Sequence, residues 1–343
     1  MRKEEVLKVL HNESSTEGVP ISFWRHFADN EFTDAAKHPE VITTNLDGHQ
    51  DYLNAVDVDL VKTMLDGYFP YPFHEVGDPR DLSQLAQVEL LNEDDPWITG
   101  QVELAKKQRA IAGDKPIFVT VFSPLILFKW ALIKHYEEAL TLADERFFDL
   151  YEQNPEIIKH VLNVIADDQI KVIKALRAQT DIDGIYYSTQ SIQDQRADNH
   201  EFFAEVMEPV DLKVQNAINQ EFEINILHIC GFDGATNHLE WFTNYPLQVI
   251  NWATKADGYT LGEGKKLFGG RVVIGGFDNS RKGVLYSGDK EEIQAYVRDL
   301  ISEAGTKGVI LGADCTVPRD TLMSISTGQS RPRISSKPHP RHA

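Results

Sequence analysis

The 343-residue chain is poor in cysteine, in basic charge and in long apolar runs, and each shortage excludes a class of protein. Two cysteines, Cys230 and Cys315, cannot build the disulfide framework of a small secreted scaffold. Met1 to Leu10 reads MRKEEVLKVL, charged throughout, so an amphipathic helix start is expected there and not a secretory leader. The cysteines are accordingly expected as reduced thiols and the protein as cytoplasmic. Lysine and arginine number 34 against 53 acids, a formal charge of −19. That sign is wrong for a nucleic-acid backbone or an anionic membrane surface, which leaves a small molecule as the expected ligand. The most apolar stretch, Pro116 to Ile133, is broken by Ser123, Pro124 and Lys129, short of the roughly 18 uninterrupted apolar residues that suggest a membrane span.

What the chain does contain is alternation. Eight short runs rich in β-forming residues recur between helical stretches: Pro20–Trp24, Leu60–Met64, Pro116–Phe122, Gly184–Tyr187, Ile224–Ile229, Gly258–Leu261, Arg271–Gly275 and Gly308–Leu311. Helix-period segments fill most intervals, as in Glu156 to Leu176 behind the cap and first-turn pair Asn154-Pro155. Alternating strand and helix implies a parallel sheet, and eight units closing on themselves predict a single-domain α/β protein, a (β/α)8 TIM barrel over residues 1–320. The interval Gly262 to Gly270 is too short for a full crossover helix, so that unit is abbreviated or one of the runs is not a strand. Residues 321–343 are expected as an atypical tail without regular structure, being basic, free of acids and proline-punctuated.

In such a barrel the active site gathers at the carboxyl ends of the strands. In strand order those positions hold Arg25 and His26, Asp66, Ser123, Ser188 and Gln190, His228 and Cys230, Glu263, Asp278, and finally Asp314 and Cys315. His228 and Cys230, at i and i+2 on an extended segment, point to one face. With Cys315 they form an imidazole and two sulfurs suited to Zn²⁺, one ion per chain, with a fourth position open to water, an acidic side chain such as Glu263, or substrate. The spacing does not fit a zinc finger, and two small buried cysteines beside a satisfied histidine remain the alternative. Arg25 is a candidate clamp for a substrate carboxylate, and Asp66 a candidate acceptor for a substrate ring. Ser188 is promoted as a catalytic candidate on alternation, which sends Tyr186 and Tyr187 to opposite faces. Gly262-Glu263-Gly264-Lys265-Lys266 lacks the full phosphate-loop patterns and reads as a plain βα turn, and Glu93-Asp94-Asp95-Pro96 reads as a helix start.

Pro20-Ile21-Ser22-Phe23-Trp24-Arg25, Gly184-Ile185-Tyr186-Tyr187-Ser188 and Gly275-Gly276-Phe277-Asp278 together resemble the uroporphyrinogen decarboxylase superfamily over most of the chain. His228-Ile229-Cys230-Gly231 and Gly312-Ala313-Asp314-Cys315-Thr316-Val317-Pro318 look like the metal motif of its zinc-dependent branch, the methylcobalamin:coenzyme M methyltransferases. The resemblance implies a (β/α)8 barrel and zinc held by His228, Cys230 and Cys315. It also implies a methyl group passed from a corrinoid, on a carrier protein, to a zinc-activated thiol, and a homodimer. On that reading Arg25 holds an anionic group of the substrate, Ser188 orients it, and Glu263 fills or guards the fourth metal position. The decarboxylase pattern is incomplete: the second arginine of its Arg-x-x-x-Arg is Asp29, and the histidine of its last-strand motif is Ala313. A carboxy-lyase of porphyrin metabolism and a non-catalytic corrinoid- or tetrapyrrole-binding protein are the alternatives.

Overall fold

The computed structural model describes residues 1–74, 76–133 and 140–321. The tail beyond residue 321, for which an irregular end is expected, lies outside the described residues. Eight parallel strands form one sheet: β1 Ile21–Ser22, β2 Val61–Lys62, β3 Ile117–Phe122, β4 Gly184–Thr189, β5 Ile226–Ile229, β6 Val249–Trp252, β7 Val272–Phe277 and β8 Val309–Ala313. The order β1-β8-β7-β6-β5-β4-β3-β2 brings the first strand back beside the last. The remaining seam is stitched by the Asp59 amide donating to the Ile21 carbonyl (2.8 Å) and by the Ser22 hydroxyl donating to the Leu60 carbonyl (2.9 Å). The chain is a single-domain (β/α)8 barrel.

Alternation along each strand makes two cores. Odd positions of β3, such as Val119 and Val121, face the surrounding helices, whereas Phe118 packs inside with Leu60, Met64, Tyr186, Ile226, Val249 and Ile274. The helix Lys3–Leu10 adds Val6, Val9 and Leu10 to this interior. Tyr186 and Tyr187 part as alternation requires: Tyr187 joins the outer core, where its hydroxyl donates to Asp211 (2.7 Å). Asp211 also accepts from Thr189 (2.8 Å) and Tyr245 (2.9 Å), yet burial pushes its carboxyl up to about 6.

This raised pKa fixes the sign of a pH effect. Between about pH 4 and 6 the folded state holds a proton on Asp211 that the unfolded chain has released, so this group adds stability as pH falls from 7 to 5. Wild type should therefore gain about 1 kcal/mol relative to Asp211→Asn over that interval in urea melts, and parallel stabilities for the two proteins would contradict it.

One strand differs from expectation. Gly258–Leu261 is not a strand: Thr260 caps the helix Leu261–Leu267, with Glu263 completing the reciprocal pair of a capping box. The sixth strand is Val249–Trp252, and this placement gives the crossover room for its helix. Glycines in the following turn serve packing, since a Cβ on Gly264 would lie 2.1 Å from the Trp252 ring. The Gly-Glu-Gly-Lys-Lys segment is thus a closely packed helix start, consistent with the absence of a full phosphate-loop motif. Asp95 likewise caps the helix Pro96–Ala112, as the Asp-Pro pair suggests.

Candidate metal centre and pocket

His228 and Cys230 leave β5 on the inner face, and Cys315 follows β8 across the barrel mouth. All three side chains are buried, and their ligand atoms lie within 4.8 Å of one another. The two sulfurs are 3.8 Å apart, and Cys315 Sγ is 3.6 Å from His228 Nε2. Sulfurs bound at ~2.3 Å and a nitrogen at ~2.05 Å in a tetrahedron would be separated by about 3.8 and 3.6 Å respectively. Two of the three edges thus match a tetrahedral ion, and the donor set suits one held by three protein ligands with its remaining side facing the pocket.

A neighbour on β6 selects the histidine tautomer. Asn251 Nδ2 donates to the carbonyls of Ile274 (2.7 Å) and Ala313 (3.3 Å), which leaves Oδ1 as its acceptor. That oxygen lies 2.5 Å from His228 Nδ1 and 2.9 Å from the Tyr186 hydroxyl. Nδ1 must then carry the proton, and Nε2 turns a lone pair toward the sulfurs. The Cys315 thiol is held well below its usual range chiefly by the hydrogen bond it accepts from Cys230, while the same contact and burial push Cys230 up.

The loop carrying Cys230 is held from behind. Its carbonyl accepts from Gln190 Nε2 (3.3 Å) and Asn237 Nδ2 (3.1 Å). Gln190 Oε1 accepts in turn from the buried Lys129 ammonium at 2.6 Å, and Lys129 pairs with Asp144 at 2.8 Å. On the other side Asp314 ties the ends of three strands together, accepting from the Gly276 amide (3.0 Å) and from both the amide (2.9 Å) and hydroxyl (2.6 Å) of Thr254. Burial raises its carboxyl to about 6.

Above the triad opens a pocket of about 590 Å³, open solvent at its mouth included. Its walls are aromatic: the Phe69 and Trp130 rings stack at 5.0 Å, with Phe32 and Phe122 against them and Tyr186 over His228. Ser188, Gln190 and His26 reach this lining as the strand-end reading expects.

Other candidates do not. Arg25 lies outside: its guanidinium donates to the Arg319 carbonyl (2.7 Å), sits 5.5 Å from the Tyr52 ring centroid and lines a separate hollow. Asp66 is sealed beneath the loop after β1, accepting from the Phe27 (3.0 Å) and Ala28 (3.2 Å) amides and facing His26 Nδ1 at 2.6 Å. Burial alone would raise its carboxyl, but His26 and the two amides outweigh burial and hold it below the usual range. It positions His26 and does not line the pocket. Glu263 is spent on the capping box at the exposed end of a helix and is absent from the pocket lining, so it is not placed as a fourth ligand. Ser123 caps the helix Pro124–Ala131, and Asp278 accepts from the Ser280 amide (2.8 Å) and faces Lys255.

Two residues of the site, one behind the triad and one in the pocket wall, escape the strand-end reading. Asn251 sits on the misplaced strand. Lys62 lies within the run Leu60–Met64, and its signal is parity: it shares the inward face with Leu60 and Met64, an unusual place for a charge.

Comparison with known proteins agrees with this architecture. The family model described as uroporphyrinogen decarboxylase (URO-D) matches residues 56–324. Among solved structures, a methyltransferase from Methanosarcina mazei superposes with a TM-score of 0.65 at 14% identity, covering 94% of this chain and 95% of that one, a likeness of fold. A β-mannanase from the blue mussel Mytilus edulis gives 0.48 at 9% identity over 91% of this chain and 96% of its own. Among curated proteins, none matches the sequence. A match to the family model across more than half its length decides the affiliation, and the chain belongs to the uroporphyrinogen decarboxylase (URO-D) family.

Proposed function

We propose that this protein is a zinc-dependent methyltransferase that moves a methyl group from a corrinoid to a thiol. The observation that carries the reading is the buried His228–Cys230–Cys315 triad, two of whose spacings match a tetrahedral ion and whose open side faces an aromatic pocket. Zinc bound there would supply Lewis acidity that favours the thiolate form of an incoming thiol. Asn251 accepts the hydrogen bond from His228 Nδ1, so in the neutral ring Nε2 is the nitrogen with a free lone pair, aimed at the site. The Lys129–Gln190 relay and Asn237 hold the Cys230 backbone, so the donors are set before ligand arrives. Asp66 fixes His26 through Nδ1 and leaves Nε2 as the imidazole nitrogen able to take the thiol proton, while Ser188 offers a hydroxyl to orient the acceptor. The methyl group moves without its bonding electrons, which stay on the corrinoid, and the new bond is carbon–sulfur.

The family's decarboxylase activity is less well supported. A porphyrinogen bearing many carboxylates needs several cations, but among the described residues the pocket walls supply one lysine or arginine, Lys62, and Arg25 lies elsewhere. A corrinoid carrier protein as donor, homodimeric assembly and a cytoplasmic location belong to the same proposal. Among the described residues no helix is long and apolar enough to cross a membrane.

The test pairs metal analysis with turnover. Purified protein should hold about one zinc per chain by plasma mass spectrometry, and should methylate coenzyme M or 2-mercaptoethanol with methylcobalamin as donor, losing activity with chelator and regaining it with zinc. Absence of metal after zinc is supplied would sink the reading.

A further inference from the structure

Among the described residues Lys62 is a charge with no anionic partner, in a place where charge is expensive. Its side chain is buried in the barrel, and none of the ion pairs among the described residues includes it. The ammonium lies 3.1 Å from Met64 Sδ, 4.9 Å from the Tyr186 ring centroid and 5.8 Å from that of Trp24, a soft, aromatic box that shields a cation without neutralising it. It lines the same pocket as the triad, and its nearest acidic influences are Cys315, Asp66 and Cys230. Burial lowers its pKa to about 8, which leaves it mainly charged at neutral pH. An unpaired buried ammonium destabilises a fold, and nothing in the packing of β2 requires one there.

The charge count at the centre explains what it can serve. A neutral imidazole and two thiolates balance a divalent ion, so a third sulfur arriving as thiolate leaves one excess negative charge inside a low-dielectric pocket. We propose that Lys62 is the fixed counter-charge of this centre, seated to compensate an anionic sulfur ligand entering the pocket beside His228, Cys230 and Cys315. This inference rests on the metal reading above. It makes Lys62 a charge-compensating residue that selects the thiolate over neutral ligands at the open position.

The test uses full-length protein loaded with cobalt(II) and two probes at one fixed pH. The probes are 2-mercaptoethanol, followed by its sulfur-to-cobalt charge-transfer band, and imidazole, followed by the shift of the visible cobalt bands. Lys62→Met should weaken 2-mercaptoethanol by about tenfold or more while imidazole changes by less than about twofold, and Lys62→Arg should restore most of the loss. Lys62→Gln serves as a second neutral variant, and a melting temperature of the metal-free variants equal to or above wild type shows that the fold is intact. Equal weakening of both probes, or none of either, overturns the inference and leaves the metal reading standing. Failure of wild type to bind cobalt at all overturns both.

Discussion

Cys230→Ser and Cys315→Ser should each cost the protein its metal, with affinity falling by at least about a thousandfold, some 4 kcal/mol, because a hydroxyl replaces one of two thiolates in a three-ligand set. The expectation rests on spacing. The sulfurs are already 3.8 Å apart and the imidazole nitrogen 3.6 Å from Cys315, so both sulfurs bear on the same point in space, and neither can be lost while the other two donors compensate. Serine is nearly isosteric, so circular dichroism should show an unchanged barrel. Asn251→Leu offers a graded comparison: it removes no ligand but frees the His228 tautomer, and losses of about 10–100-fold are the usual size for such a support. Equilibrium dialysis against zinc with a competing chelator reads all three variants. Stoichiometric zinc retained by both serine variants would contradict the centre itself.

The second large effect is on stability. Lys129 and Asp144 form an ion pair with side chains 0% and 3% exposed, in the helices Pro124–Ala131 and Leu140–Gln153. Lys129→Met strips Asp144 of its cation inside the protein and leaves Gln190 Oε1 without its donor, for an expected loss of about 3–5 kcal/mol in urea unfolding. Lys129→Met combined with Asp144→Leu should recover most of that loss, since an apolar pair of similar volume often replaces a buried ion pair at little cost. Should the single variant unfold at the wild-type midpoint, the pair would contribute nothing. Should the double variant be stable yet bind zinc more weakly, the relay through Gln190 to the Cys230 carbonyl would be the reason.

Lys62 and Lys129 make an instructive contrast. Both are buried lysines, Lys62 on the inward face of β2 and Lys129 on the helix Pro124–Ala131, but Lys129 has a carboxylate and an amide oxygen, whereas Lys62 has a thioether and two ring faces. Neutralising the first should cost stability. Neutralising the second should cost ligand selectivity and leave stability unchanged or improved, which is the pattern expected where a site keeps a group for function at the expense of the fold.

Much of this was legible in the residues alone. Seven of the eight strand regions follow from short apolar runs between helix-period segments, because inner and outer cores both demand apolar side chains from every strand. The pairing of His228 with Cys230 follows from the two-residue period of a strand, which needs no knowledge of distant contacts. Caps at Asn154, Asp95 and Thr260 are written in local side-chain chemistry as well, although the last is hidden by a Tyr-Thr-Leu sequence that also suits a strand. The true sixth strand, Val-Ile-Asn-Trp, carries an asparagine at an inward position, and its reason lies in distant partners, His228 and Tyr186 on other strands and the carbonyls of Ile274 and Ala313. Everything keyed to that strand shifted with it: Glu263 became a cap, and Asn251 took a place beside the metal ligands.

Which charges face the pocket was decided by tertiary structure. Arg25 and Asp66 stand at strand ends like His26 and Ser188, yet one turns to Tyr52 and the Arg319 carbonyl and the other is sealed beneath the loop after β1, because the partners that satisfy them lie far away in sequence. Residue type and strand parity determined the barrel and the donor set, since both are local and periodic. The open side of the candidate triad, the histidine tautomer and the placement of Lys62 depend on what eight strands bring together at one mouth, where hydrogen bonding and charge compensation are settled between residues that no local pattern connects.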